Sequence, residues 1–201
     1  SSGRVYGVKK EDKVTVDLPL VPISTYNKTK MVAERVFLSY SDRMQVHCIR
    51  PATVCGLSPR MRLDVSVNMF TYQALKNQKI TVFGGDQTRP NIHILDMCNI
   101  YMHFINKREL PSGCYNAGFE NISIIDIAKS IQKIIPSEIT ITPSNDPRSY
   151  RQNSDKLIQT GFLKKFSIRD AIQDIARAFE ENNLNESENC YTVKWMNHLD
   201  L

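Results

Sequence analysis

Segments with the composition of short strands alternate with segments of helical periodicity, and this alternation limits the fold of the chain more than any other feature. Strands that are separated by helices are typical of α/β proteins, so we predict that class. The predicted strands are 45–51, 79–85, 92–95, 113–118 and 139–142, and the predicted helices are 24–40, 68–75, 123–135 and one that ends near Glu181.

Short polar side chains mark where these helices begin. A Ser, Thr or Asp at such a position caps a helix by accepting a hydrogen bond from a backbone N–H of the first turn. We expect His93, just before one of the caps, to be a packed and hydrogen-bonded histidine. The predicted caps are Ser24 or Thr25, Asp96, Ser123 with Asp126, and Ser167 with Asp170.

The first predicted helix carries an apolar stripe. Val32, Val36 and Tyr40 recur every four residues, which places them on one side of the helix. We expect the charged residues around them, Glu34 among them, to lie on the surface.

Charge and cysteine content exclude several classes of protein. The 26 Lys and Arg exceed the 21 Asp and Glu by a formal charge of +5, and they are scattered rather than clustered. A scattered excess of this size fits an anionic small molecule at least as well as nucleic acid. The five cysteines form no CxxC pair, so we expect free thiols, a reducing (cytoplasmic) location and no metal site. No apolar run reaches the ~18 residues that span a membrane.

One pair of residues has the spacing of a redox site. Tyr26 and Lys30 in YNKTK are four residues apart on a predicted helix, so their side chains share one face. Such a pair is common by chance, but here Ser2 precedes it in SSGRVYG and the strand that follows ends in RPATVCG.

Taken in order, SSGRVYG, YNKTK, RPATVCG, GDQTRPNIHILD and YNAG, followed by DPRSYRQNSDKL, resemble the second half of the extended short-chain dehydrogenase/reductases that act on nucleotide sugars. The resemblance covers nearly the whole chain. It implies the later strands of a doubly wound, Rossmann-type sheet, together with a smaller α/β substrate-binding subdomain. Residues 1–57 and 95–118 would form the dinucleotide-binding part, and residues 58–94 and 119–201 the nucleotide-sugar subdomain.

The same resemblance implies the catalytic roles. Tyr26 would be the base that removes the proton of a sugar hydroxyl while hydride leaves the same carbon. A free phenol has a pKa near ~10, so at neutral pH the base needs a neighbouring positive charge, which Lys30 would supply. Ser2 would position the reacting oxygen by a hydrogen bond.

Cofactor and substrate positions are also implied. Tyr26, Lys30 and Ala52 would contact the cofactor, NAD rather than NADP. Thr53 stands where 4-epimerases often have asparagine, and Pro143 stands where a second basic residue is usual, so Arg148 or Arg151 would replace it. The implied substrate-binding residues are Ser2, Thr53, Asn68, Arg89 and Arg148.

Two absences narrow the reaction. The 4,6-dehydratases carry an Asp-Glu pair after the hydroxyl residue, whereas this chain has Gly3 and Arg4. The cysteine that 3,5-epimerase/reductases place at the position of Gly3 is missing too. The remaining possibilities are epimerisation at C4 of a nucleotide-diphosphate sugar, as in UDP-glucose 4-epimerases, or a one-way oxidation or reduction.

The glycine-rich turn with which the family's cofactor site begins does not occur in this sequence. We therefore expect the chain to be the C-terminal part of a larger enzyme, inactive alone and homodimeric when whole. A non-catalytic sugar-nucleotide or dinucleotide-binding protein, or a scaffold, is the alternative. Binding of RNA or DNA ranks last, because basic and aromatic residues do not interleave.

Overall fold

The computed structural model describes residues 1–144 and 149–199, so Arg148 lies outside the described residues. Short strands and helices alternate through both ranges. The strands are β1 (His47–Pro51), β2 (Thr53–Cys55), β3 (Lys79–Phe83), β4 (Thr88–His93), β5 (Gly113–Ala117), β6 (Glu120–Ser123) and β7 (Glu138–Thr142). The helices are α1 (Thr25–Leu38), α2 (Ser66–Asn77), α3 (Ile94–Asn106), α4 (Ile124–Gln132), α5 (Asp155–Ile158), α6 (Ile168–Glu180) and α7 (Thr192–His198).

The described strands form three small sheets, and most of the pairing in them is parallel. β1 pairs with β5, and β3 pairs with β7, in both cases parallel. The third sheet has the order β2-β4-β6, with β2 parallel and β6 antiparallel to β4. The predicted α/β class is therefore confirmed.

Two apolar clusters hold these layers together. In the first, α2, α4 and α6 pack around β3, with Phe70, Ile80, Ile127 and Ile172 among the buried side chains. In the second, α3 and the sheet of β1 and β5 bury residues such as Ile100 and Tyr115. The contacts between helices and strands are thus filled by apolar side chains, as the hydrophobic effect requires.

The expected orientation of α1 is wrong. Val32, Val36 and Tyr40 are exposed to about half of their surface, at 53%, 52% and 47%. Glu34, expected on the surface, is 3% exposed. The reason is a buried arginine on β1, Arg50, which draws the carboxylate face of the helix towards the sheet.

Three of the four predicted caps are confirmed and one is wrong. The side chains of Ser24, Ser123 and Ser167 each accept a hydrogen bond at a helix start. At α3 the cap is His93, whose Nδ1 accepts from the backbone N–H of Leu95, so His93 is packed and hydrogen-bonded as expected.

Asp96 has a different role from capping. It is fully buried in the first turn of α3, where its carboxylate accepts hydrogen bonds from the backbone N–H groups of Lys165 and Phe166. It thereby fixes the chain that leads into α6. A contact across 69 residues of sequence leaves no local signal, and for that reason the sequence pattern indicated a cap instead.

The five cysteines are free thiols, although Cys98 is exposed and Cys114 half-buried. Cys48 and Cys114 are opposite each other in the register of β1 and β5. None of the helices in residues 1–144 and 149–199 is both long and apolar enough to cross a membrane.

The packing of α4 gives a first prediction. Ile127 is fully buried in the first apolar cluster. We expect Ile127→Ala to lower the free energy of unfolding by about 2–5 kcal/mol, because it removes buried methyl groups and leaves a cavity. Ile158, which is 47% exposed on α5, provides the matched control, and Ile158→Ala should cost well under half as much. Urea denaturation followed by circular dichroism measures both, and equal losses would contradict the assigned core.

Candidate functional site

Tyr26 and Lys30 lie in the first two turns of α1. The helix begins where the Ser24 hydroxyl accepts a hydrogen bond from the backbone N–H of Asn27, at 3.2 Å. Lys30 Nζ lies 5.3 Å from the centroid of the Tyr26 ring, so the two side chains share one face as predicted. Tyr26 is 55% exposed, and within the described residues neither its hydroxyl nor the Lys30 ammonium has a hydrogen-bond partner.

Ser2 caps a short 3-10 helix, Gly3–Tyr6, rather than ending a strand. Its buried hydroxyl oxygen accepts from the backbone N–H of Arg4 at 3.2 Å. A hydroxyl that accepts one bond in this way keeps its own proton available for donation. The 3-10 helix contacts both α1 and β1, so Ser2 belongs to the same part of the molecule as Tyr26.

Arg50 joins the three elements that carry the candidate residues. From β1 its guanidinium donates two hydrogen bonds to the Glu34 carboxylate on α1, each 2.8 Å long. A third N–H group donates to the Tyr6 hydroxyl in the 3-10 helix at 2.7 Å. This bidentate geometry fixes the relative orientation of α1, β1 and the 3-10 helix, because rotation of the planar guanidinium would break its paired hydrogen bonds to the carboxylate.

The network continues from Tyr6 into β5. The Tyr6 hydroxyl donates to Asn116 Oδ1 at 2.6 Å, and Asn116 Nδ2 donates to the backbone carbonyls of Val14 and Asn153, each at 2.9 Å. One chain of buried polar groups therefore reaches from α1 to the residues that precede α5.

The charges of this network stabilise each other. Burial of Glu34 opposes its ionisation, but the hydrogen bonds from Arg50 and Ser1 and the charge of Arg50 together hold the pKa of its carboxyl below the usual 4.5. Burial likewise acts against the charge of Arg50, and the Glu34 hydrogen bonds raise the pKa of the guanidinium above its usual value. Both groups are therefore ionised at neutral pH.

Two glycines, Gly3 in the 3-10 helix and Gly118 directly after β5, have no room for a side chain. A Cβ on Gly3 would lie 2.9 Å from the Pro51 carbonyl oxygen and 3.1 Å from the amide of Gln152. A Cβ on Gly118 would lie 2.6 Å from Gln152 Oε1 and 2.7 Å from the Ala52 Cβ. Gly3, Ala52 and Gly118 thus meet at the buried Gln152 side chain, which donates to the Arg50 carbonyl oxygen at 2.7 Å.

The other predicted substrate residues lie around β2 and β4. Thr53 is half-buried on β2, opposite Asn91 of β4, and Arg89 is half-buried on the same strand. Asn68 is buried near the start of α2, where its side chain accepts from the Gly56 N–H at 2.9 Å and donates to the Arg62 carbonyl at 3.0 Å. Its amide therefore holds the loop between β2 and α2.

Glu34, Tyr6, Asn116 and Gln152 were not among the predicted site residues. A signal existed for one contact, because Arg50 is a charged residue inside an otherwise apolar strand and needs a buried partner. Asn116 and Gln152 lie within the quoted motifs YNAG and DPRSYRQNSDKL, but neither motif indicates their partners, which lie about a hundred residues away in sequence.

The Tyr26 hydroxyl and the Lys30 ammonium lie one helical turn apart and have no hydrogen-bond partner within the described residues, so both can bind polar groups of a ligand. Within residues 1–144 and 149–199, no three His, Cys, Asp or Glu side chains are grouped so that they could hold a metal ion.

Comparison with known proteins gives a consistent result. The profile of the NAD dependent epimerase/dehydratase family matches residues 1–118. Among curated relatives, the chain is 29% identical over 145 residues to the uncharacterized UDP-glucose epimerase YtcB of Bacillus subtilis, covering 70% of this chain and 45% of that protein. It is 25% identical over 183 residues to the UDP-glucose 4-epimerase of Streptococcus mutans, covering 78% and 54%. The chain spans about half the length of these relatives.

Solved structures share the fold. The UDP-glucuronic acid 4-epimerase of Bacillus cereus, in complex with UDP-glucuronic acid and NAD, superposes with a TM-score of 0.78 at 25% identity, covering 90% of this chain and 60% of that one. The dTDP-glucose 4,6-dehydratase of Bacillus anthracis, in complex with NAD, gives a TM-score of 0.78 at 23% identity, with the same coverage. These similarities confirm the expected Rossmann-type architecture.

The Arg50 network gives a second prediction. We expect Glu34→Gln to lower the free energy of unfolding by about 3–5 kcal/mol, because it leaves the Arg50 charge buried without a counter-charge. Glu138, which is 71% exposed and 4.0 Å from Lys79, provides the control, and Glu138→Gln should change stability by at most about 0.5 kcal/mol.

The loss of stability caused by Glu34→Gln is expected to depend on pH. The folded-state pKa of Glu34 lies below the unfolded value of 4.5, so its stabilisation is full above 4.5 and is lost as the pH falls through the folded-state value. The difference between wild type and Glu34→Gln should therefore shrink in acid. Urea denaturation at pH 7 and at lower pH measures it, and a difference that grew in acid would refute the assignment.

Proposed function

The chain belongs to the NAD dependent epimerase/dehydratase family, and we propose that the whole protein is an NAD-dependent enzyme that oxidises and re-reduces a nucleotide-diphosphate sugar at C4. The observation that carries this proposal is the exposed Tyr26–Lys30 pair, whose helix is tied to the segment of Ser2 through Arg50. A protein that only binds a nucleotide sugar does not need this combination of hydroxyls and ammonium.

Each of the three side chains has a distinct task in this mechanism. Tyr26 as phenolate takes the proton of the sugar C4 hydroxyl and returns it when the sugar is reduced again. The Lys30 ammonium, one turn along the helix, stabilises the phenolate by its charge. The Ser2 hydroxyl, which accepts a hydrogen bond from the Arg4 N–H, donates a hydrogen bond to the reacting oxygen and sets its position without giving up its proton. When bound, NAD supplies the hydride acceptor.

Further residues would hold the cofactor and substrate. Tyr26, Lys30 and Ala52 contact the cofactor, and NAD is proposed rather than NADP because the matching family is NAD dependent and the Bacillus cereus 4-epimerase structure contains NAD. A guanidinium suits the diphosphate, to which it donates paired hydrogen bonds. The proposed substrate-binding residues are Ser2, Thr53, Asn68, Arg89 and Arg148.

We further propose that the reaction is epimerisation of the UDP-glucose 4-epimerase type. The curated relatives from Streptococcus mutans and Bacillus subtilis carry this name or a related one. The crowding at Gly3 supports it, because a carboxylate at this position would overlap the Pro51 carbonyl and the Gln152 amide. An Asp in place of Gly3, as the elimination of water would need, could therefore be accommodated only if this part of the chain moved.

The domain division and the assembly are proposals too. Residues 1–57 and 95–118 form the later part of the NAD-binding domain, and residues 58–94 and 119–201 form the nucleotide-sugar subdomain. The exposed stripe of Val32, Val36 and Tyr40 supports a homodimer through α1. The five free thiols support a reducing compartment such as the cytoplasm.

Substitution of the base is the direct test. In the full-length protein, Tyr26→Phe should lower kcat with UDP-glucose and NAD by about 10²–10⁴-fold, because the ring remains and only the proton-transfer group is lost. Tyr101, a 52% exposed tyrosine on α3, is the matched control, and Tyr101→Phe should keep the wild-type rate. A coupled assay for UDP-galactose measures both.

Two outcomes would contradict the proposal. A Tyr26→Phe variant with near wild-type kcat would remove Tyr26 from the mechanism. A wild-type protein that binds UDP-sugars tightly but converts none of them with NAD present would favour the non-catalytic alternative, a sensor or scaffold on the same fold.

A further inference from the structure

A C-terminal segment, residues 183–192, packs against the loop of residues 56–65 that connects β2 to α2. The backbone N–H of Leu63 donates to the Cys190 carbonyl at 2.9 Å. In the other direction, the backbone N–H of Thr192 donates to Asp64 Oδ2 at 3.0 Å. Two successive residues of the 56–65 loop, Leu63 and Asp64, are therefore hydrogen-bonded to the C-terminal segment.

Glu186 anchors the same segment to α2. One of its carboxylate oxygens accepts hydrogen bonds from the Tyr72 hydroxyl at 2.7 Å and from Lys76 Nζ at 2.6 Å. The other oxygen accepts from the Tyr191 hydroxyl at 2.6 Å. Three donors thus converge on one carboxylate, two of them from α2 and one from the C-terminal segment itself.

These interactions keep the anchor in one protonation state at neutral pH. Hydrogen bonds from Lys76, Tyr191 and Tyr72 lower the pKa of Glu186 to about 2. Burial and the hydrogen bond to Glu186 raise the pKa of Tyr191 above its usual value of 10. Glu186 is therefore a carboxylate and Tyr191 a neutral phenol at any pH at which the enzyme would be assayed.

Apolar contacts cover the junction. Met61 and Leu63 of the 56–65 loop are buried together with Cys190 of the C-terminal segment, and Leu184 packs against them. Beside this cluster, a cleft of about 420 Å³ opens between residues 57–61 and residues 183–185.

The 56–65 loop is held from its inner side as well. There the Asn68 side chain bonds to the Gly56 N–H and to the Arg62 carbonyl. The loop leaves the carboxyl end of β2, and in α/β proteins ligands bind outside the carboxyl ends of the parallel strands. It carries Arg60 and Arg62, and the orientation of Arg62 is fixed, since its Nε donates to Asp64 Oδ1 at 2.8 Å.

Asp64 links the C-terminal segment to this arginine. One of its carboxylate oxygens binds Arg62 and the other binds the Thr192 N–H. We propose that the C-terminal segment is a positioning element for the substrate, which holds the 56–65 loop so that Arg62 meets the diphosphate of the nucleotide sugar, with Glu186 as its anchor. This inference rests on the proposed function, because it takes the substrate to be a nucleotide diphosphate.

The anchor can be weakened without disturbing the catalytic groups. In the full-length protein, Glu186→Gln removes the charge that Tyr72, Lys76 and Tyr191 share, and we expect the KM for UDP-glucose to rise about 5- to 10-fold while kcat stays within about twofold of wild type. Glu188 is the matched control, because it lies in the same segment but its carboxylate, among the described residues, pairs with Lys194 and His198 and not with α2 or the 56–65 loop. Glu188→Gln should leave both constants unchanged.

Ligand binding isolates the role of the diphosphate. By titration calorimetry, Glu186→Gln should weaken binding of UDP about as much as it raises KM, and should leave binding of uridine unchanged. Arg62→Gln should produce the same selective loss. In parallel, trypsin should cleave after Arg60 and Arg62 faster in Glu186→Gln than in Glu188→Gln, since the 56–65 loop is released.

The outcomes separate this inference from the proposed function. Faster cleavage with unchanged UDP affinity would overturn the inference, because the segment would hold the loop without serving the substrate. Equal weakening of UDP and uridine would also overturn it. If wild-type protein bound no UDP, or if Tyr26→Phe kept its kcat, the proposed function would fail instead.

Discussion

The bidentate ion pair between Arg50 and Glu34 is the interaction on which the rest of the site depends. It turns a charged face of α1 towards the sheet, and this leaves Val32 and Val36 exposed. Removing two charges from water is costly, and the cost is met here only because the geometry is bidentate and because Tyr6 takes a further guanidinium N–H. Because Arg50 binds both α1 and the 3-10 helix from β1, it fixes the orientation of these three elements relative to one another. The segments that carry Tyr26, Lys30 and Ser2 are therefore held together.

A second set of polar contacts surrounds the loop between β2 and α2. Asn68 from inside and the C-terminal segment from outside hold the loop between β2 and α2, and Asp64 connects that segment to Arg62. The two sets of contacts differ in burial. The Arg50 pair is almost fully enclosed, whereas the Glu186 anchor is partly open to solvent. Loss of the Arg50–Glu34 pair should therefore lower the free energy of unfolding, whereas loss of the Glu186 anchor, on our proposal, lowers the affinity for the ligand.

Much of the fold was predictable because its signals are local. The apolar runs of β1, β3, β5 and β7 and the caps Ser24, Ser123 and Ser167 lie within a few residues of the elements that they define. The short strands β2 and β6 were missed, since three or four residues carry too little pattern to be distinguished from loop. Asp96 was assigned to capping because its actual partners are 69 residues away.

The sequence by itself determined the alternation of most of the strands and helices and the shared face of Tyr26 and Lys30. Each of these depends on residue type and short spacing, which a helix of 3.6 residues per turn converts directly into geometry. Only the tertiary structure decided that Glu34 is buried, that Gln152 fills the space beside Gly3, and that Glu186 binds α2. Those contacts join residues 16 to 149 positions apart, and their partners become known only when the chain has closed around them.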